Sequence, residues 1–220
     1  MFITMHCAGM PFNGGTVEKE SLGGSESACY YVARELSKRG HKVIVFTTSQ
    51  EEGDWEGVRY RWLGEQTNEA PMGTRFTYYA ENTPHDVLIM QRHPYAFRFA
   101  WQAKVRLWWL HDLAMRRLLG EVVQQLWNID LILTVSEWHK RQVAETWNID
   151  LAGVYAIRNG VDLSLYEKKF EDADDTFKTD ELKLFYEARP ERGLENLVCT
   201  NGIMDRLARA RIPARLYVCA

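Results

Sequence analysis

The sequence predicts an α/β protein built on an open, mostly parallel, doubly wound sheet. Three observations lead there. Short apolar, β-branched runs alternate with stretches in which apolar residues recur at helical spacing. Runs such as KVIVFTT (42–48) are apolar without alternation, as strands covered on both faces are. The β-then-α unit repeats, which favours parallel strands joined by right-handed crossovers.

Each element follows from local pattern. FITMHC (2–7) opens the chain as a core strand. GSESACYYVARELSKRG (24–40) is a helix: Ala28, Val32 and Leu36 recur every four residues, Cys29 and Ala33 lie beside them, and Gly40 ends it. KVIVFTT is a buried strand, and GVRYRWL (57–63) alternates like an edge strand. A polar stretch with Gly and Pro spans 64–75, after which RFTYYAEN begins a helix. DVLIMQR (86–92), VRLWWLHD (105–112) and LILTVS (131–136) are further strands. EWHKRQVAETW (137–147) is a helix capped by Ser136, and VYAIRNG (154–160) is another strand.

The segment 159–181 is acidic and poor in apolar residues, as a linker would be. The pattern then restarts: LKLFYEA (182–188) as strand, GLENLVCTNGIMDRLARA (193–210) as helix, ARLYVCA (214–220) as strand. A lone unit of about 40 residues buries little apolar surface. The expectation is a domain over 1–160, a linker over 161–181 and the opening βαβ unit of a second domain over 182–220, within a longer protein.

Composition sets bounds. The chain has 220 residues, 46% of them apolar, enough for an ordinary core. A net charge of −3 supplies no global basic field, which argues against nucleic acid as a partner while leaving room for a local basic pocket. The four cysteines, Cys7, Cys29, Cys199 and Cys219, show no metal-ligand spacing and read as buried reduced thiols. No apolar run is long enough to cross a bilayer. A soluble, cytoplasmic protein is expected, with peripheral membrane contact left open.

Three stretches have the residue types for chemistry. Gly23, Gly24 and Ser25 open the first helix, whose unsatisfied N–H groups and positive dipole end suit a phosphate. A flexible turn with Ser21 or Ser25 as a cap is the plainer alternative. His111 and Asp112 lie at the C-terminal end of a strand, where ligands bind in open α/β sheets. RHPY (92–95) follows another strand end and reads first as a turn, with the lining of the same crevice as its alternative. Arg189 and Arg192 flank a proline just before Gly193 starts a helix, a local anion site or a solvated basic turn. Arg206, Arg209, Arg211 and Arg215 read as a solvated face.

As a set, GGSE followed by LSKRGHKVIVFT, HD, TVSEWHK, IRNGVD and ARPERGLENL resembles the retaining GT-B glycosyltransferases of family 4 along most of the chain. The resemblance implies two Rossmann-like domains and transfer of a hexosyl-type sugar from a nucleotide-sugar donor to a glycan, lipid or small-molecule acceptor. It implies retention of configuration, with no cofactor and no metal. By that likeness Gly23 and Gly24 lie near the donor diphosphate, His111 and Asp112 at the reacting centre, and Arg189 and Arg192 against the leaving group. Asn159 and Asp162 would be hinge residues. The family's E-x7-E pair falls beyond Ala220, so little or no transfer by these 220 residues alone is expected. A non-catalytic nucleotide- or sugar-phosphate-binding domain is the alternative. A dinucleotide-dependent oxidoreductase is disfavoured, because CAGMPFNGG follows the first strand and Thr47–Thr48 end the second.

Overall fold

The computed structural model describes residues 1–93, 95–98, 101–160, 180–188 and 190–219. The chain divides into two compact units, Met1–Gly160 and Val161–Ala220.

The first unit is an eight-stranded sheet. In chain order its elements are β1 (Phe2–Cys7), α1 (Gly24–Lys38), β2 (Lys42–Thr47), β3 (Gly53–Trp55), β4 (Val58–Trp62), α2 (Thr74–Asn82), β5 (His85–Gln91), β6 (Ala103–Trp109), α3 (Leu119–Val123), β7 (Leu131–Thr134), α4 (Glu137–Trp147) and β8 (Val154–Ala156). The spatial order is β3-β4-β2-β1-β5-β6-β7-β8, and every pairing is parallel except β3 with β4. The chain starts at the centre, winds out through β2 and β4, then returns to lay β5 on the other side of β1. That reversal places a switch point between β1 and β5, and a crevice is expected outside the carboxyl ends of those strands.

Alternation within each buried strand feeds two cores. Val43 and Val45 of β2 pack with Ile3, Met5, Cys29, Ala33 and Ile89 on the α1 face. Ile44 and Phe46 pack with Phe76, Leu88, Met90 and Trp108 on the other. On that second face the Trp108 and Trp147 rings stack, with centroids 5.3 Å apart.

Several expectations need correction. The alternating strand β4 is internal, because a short unpredicted strand, β3, turns back through Glu56 (φ 49°) and Gly57 (φ 77°) and forms the sheet edge. The strand expected over 105–112 stops at Trp109, and the one expected over 154–160 stops at Ala156. In the second unit the helix expected over 193–210 is broken into α5 (Leu194–Val198) and α6 (Ile203–Arg209). Asn201, at φ 64°, makes that turn. These helices lie between β9 (Leu182–Tyr186) and β10 (Ala214–Val218), which pair in parallel. Cys7 and Cys29 are buried free thiols as expected, but Cys199 and Cys219 are exposed.

Candidate functional site at the switch point

Four strand ends and one helix start meet in the first unit. After β1 the chain runs through Gly9 and Met10 in a long loop to α1. The end of β2 holds that loop: the Thr47 hydroxyl donates to Phe12 O at 2.8 Å, and the Thr48 hydroxyl donates to Gly9 O at 3.1 Å. Thr47 and Thr48 thus serve the loop that leads into α1. Asn13 bends the loop further by accepting from Gly15 N at 2.9 Å.

The loop delivers a 15-residue helix whose N-cap, Gly23, supplies no side-chain cap. Gly24 has open space where a Cβ would stand, so a bulky group can approach the backbone there. Gly23 is different: a Cβ on it would lie 2.3 Å from Oε2 of Glu26. Glu26 is only 3% exposed although its side chain is polar. Its carboxylate accepts from Met10 N at 3.1 Å and from the Ser25 hydroxyl at 3.0 Å, tying the β1 loop to the first turn of α1. Sequence reading missed this residue. The signal was there, since Glu26 is the third helical residue, where a carboxylate favours the first turn.

The remaining walls come from β5 and β6. Gln91 is buried and donates from Nε2 to Ser25 O at 3.2 Å. The same nitrogen is 3.2 Å from Nε2 of His111. His111 is therefore linked through one amide to the start of α1. Burial pulls the His111 pKa down to about 4, opposed in part by the Asp112 carboxylate, so the ring is neutral near pH 7. Arg92 has φ 64° and grips Asp112 in a fork, from Nε at 2.6 Å and from an Nη at 3.3 Å. The RHPY stretch is thus more than a turn. Asp112 is fixed from behind as well: its carbonyl O accepts from Nε2 of His139 at 3.0 Å, while Nδ1 of His139 faces the N–H of Val135 at 3.4 Å. His139 is placed by the Ser136 cap, whose Oγ accepts its N–H at 3.1 Å.

Four of the six predicted site residues, Gly23, Gly24, His111 and Asp112, thus share one strand-end region. Beside it a cavity of about 530 Å³ runs along α1 and brings Gly24, Tyr31, Trp109, Arg158 and Asn159 together. Arg192 belongs to the second unit, in a short 3-10 turn over Pro190–Arg192 that precedes Gly193. Arg189 and Asp162 lie outside the described residues.

A neutral imidazole, a fixed carboxylate and an uncapped helix end thus meet at the switch point of a Rossmann-like α/β domain, the place where such domains bind ligands. Comparison with known proteins gives the family. The sequence profile of Glycosyltransferase Family 4 matches residues 22–165, and the chain belongs to that family. No curated protein matches it in sequence. Among solved structures it is similar to HepE of Anabaena, crystallised in complex with UDP-glucose, at 14% identity and a TM-score of 0.61, over 100% of this chain and 69% of that one. It is similar to a glycosyltransferase from Rickettsia africae at 13% identity and a TM-score of 0.61, over 100% and 68%. It is similar to WaaG, a glycosyltransferase involved in lipopolysaccharide biosynthesis, at 11% identity and a TM-score of 0.56, over 99% and 63%.

Proposed function

We propose that this chain supplies the first half-site of a retaining glycosyltransferase that moves a sugar from a nucleotide-sugar donor to an acceptor. One observation carries the reading: an uncapped N-terminus of a long helix and a neutral, amide-linked His111 meet at the sheet's switch point. In this reading the donor diphosphate lies against the open backbone at Gly24, where oriented N–H groups and the helix dipole favour negative charge. Gly23 admits the carboxylate of Glu26, which holds the approach loop in place. His111 faces the donor sugar, and Asp112, gripped by Arg92, fixes the loop that presents it. Departure of the nucleotide builds charge on the diphosphate, and Arg189 and Arg192 neutralise it. The donor is a substrate; no metal and no further cofactor enter. The acceptor is a glycan, a lipid or a small molecule. Among the described residues no helix is long and apolar enough to cross a membrane. The proposed setting is the cytoplasm, with any membrane contact peripheral.

Thermal-shift titration with UDP-, GDP- and ADP-sugars tests the reading. One nucleotide sugar is expected to raise Tm in a saturable way, as mass action requires. Gly24→Val, which fills the open approach, is expected to abolish the shift. A flat response to all three classes by this chain and by a longer form overturns it. Saturable binding by the longer form without sugar transfer, to water or to any acceptor offered, identifies a non-catalytic binding domain instead.

A further inference from the structure

We propose that Gln91 is a positioning residue that holds His111 as its Nδ1–H tautomer, so that His111 meets its ligand as a neutral hydrogen-bond donor and not as a base. The proposal rests on the reading that His111 faces the donor sugar. Its geometric part stands apart from that reading.

The amide orientation is decided by chemistry. Gln91 is 1% exposed, and its nitrogen lies 3.2 Å from the carbonyl oxygen of Ser25. A carbonyl can only accept, so Nε2 and not Oε1 of Gln91 must face it. Turning the amide over would bring two acceptors together in a buried place, at the cost of an unmade hydrogen bond. The second proton on Nε2 of Gln91 then points to Nε2 of His111, 3.2 Å away. That ring nitrogen must accept, so it is unprotonated and the ring proton sits on Nδ1. Nδ1 makes no hydrogen bond to a described residue, and it is not among the buried polar atoms that lack one. It remains accessible as a donor. Oε1 of Gln91, by contrast, is buried without a partner among the described residues. Holding the amide this way leaves its oxygen unsatisfied, which marks it as a constraint imposed on His111 rather than a filler of the core.

Burial supports the same state, since a ring whose pKa is pulled down to about 4 stays neutral at pH 7. The groups facing it are Asp112, Arg92, Glu26 and His139, of mixed sign. A neutral donor suits a sugar hydroxyl. It also removes His111 as an acceptor of the acceptor's proton, because its one unprotonated nitrogen is already occupied.

The test uses the full chain with its six histidines labelled with 15N, and long-range 1H–15N correlation spectra at pH 7. His111→Gln identifies the His111 signals. The expected result is a protonated Nδ1 and an unprotonated Nε2 in the native protein. Gln91→Leu is expected to change that pattern, and Gln91→Glu, whose carboxylate accepts, to invert it and raise the titration midpoint of the ring. Near-UV circular dichroism checks that each variant is folded; should the buried glutamate prevent folding, Gln91→Leu alone decides. A native Nε2–H signal, or a Gln91→Leu spectrum identical to the native one, overturns the proposal. A second arm measures affinity for the nucleotide sugar that gives the thermal shift, with a loss of about 3- to 10-fold expected in Gln91→Leu, as for one neutral hydrogen bond. The expected tautomer with unchanged affinity leaves the Gln91 assignment standing and removes His111 from the donor sugar.

Discussion

At the scale of single residues, the site depends on contacts that leave no room for a methyl group. A Cβ on Gly9 would fall on the Glu26 carboxylate, so Gly9 is glycine because a buried side chain from α1 passes over it. Gly9→Ala is expected to lower stability by about 1–3 kcal/mol, the usual cost of overpacking. Glu26→Ala is also expected to destabilise, because it strands the N–H of Met10. The double variant should be less destabilised than the sum, and urea denaturation across the four proteins measures that coupling. Strict additivity would mean that the two residues do not meet. A second prediction concerns His6. Burial, with the nearby His93 adding to it, lowers its pKa to about 3. The folded protein then binds fewer protons than the unfolded chain between roughly pH 6.5 and 3, so stability falls as pH drops through that window. From pH 6.5 to 4 the loss from this ring is on the order of 3 kcal/mol. A His6→Met variant is expected to show a shallower fall of the urea midpoint between pH 7 and pH 5.

At the scale of elements, α4 shows what the sequence disclosed. Ser136 before a helical run is a capping signal, and the Oγ of Ser136 does accept the N–H of His139. Ser136→Ala is expected to cost about 1 kcal/mol and Ser136→Asp to restore most of it, read from thermal melts. The cap also places the ring that holds the Asp112 carbonyl. Ser136→Ala should therefore raise hydrogen exchange around 110–114 as well as in α4, while Ser136→Asp should not. The strands β1, β2 and β5 were legible for a similar reason: a strand buried on both faces leaves an apolar run whatever its neighbours are. Strand β3 was not, because GDW is three residues long and is a strand only through its pairing across the Glu56–Gly57 turn. The break between α5 and α6 was hidden because apolar spacing continues across Cys199–Gly202 while the backbone turns at Asn201. In the site, His111 and Asp112 were visible as polar residues ending an apolar strand. Gln91 was not, because its partners lie 20 and 66 residues away; Glu26 carried a helix-start signal and Arg92 a strand-end one, but what each holds, 16 and 20 residues away, could not be read from either.

At the scale of the molecule, the two units differ in how they bury their strands. In β1 five of six residues are buried, and β1 is flanked on both sides by parallel neighbours. In β9 and β10 no residue is buried, and the two strands pair only with each other among the described residues. Leu182, Phe185 and Val218 are all exposed. A two-stranded sheet is marginal in water unless a third strand or a packed helix supports it. Local opening free energy follows buried contact, so the two units should not exchange amide hydrogens alike. In native-state hydrogen exchange, the amides of Phe2–Cys7 and Val87–Gln91 are expected to open only with global unfolding of the first unit, with a strong dependence on added urea. Those of Leu182–Tyr186 and Ala214–Val218 should exchange faster by about two orders of magnitude or more, with little dependence on urea, because their opening exposes little additional surface. The same measurement on a longer form should bring the second pair of strands toward the protection of the first, if further strands complete their sheet. Equal protection of both units in the 220-residue chain would show that the second is already stabilised as well as the first, and would refute the ranking by burial.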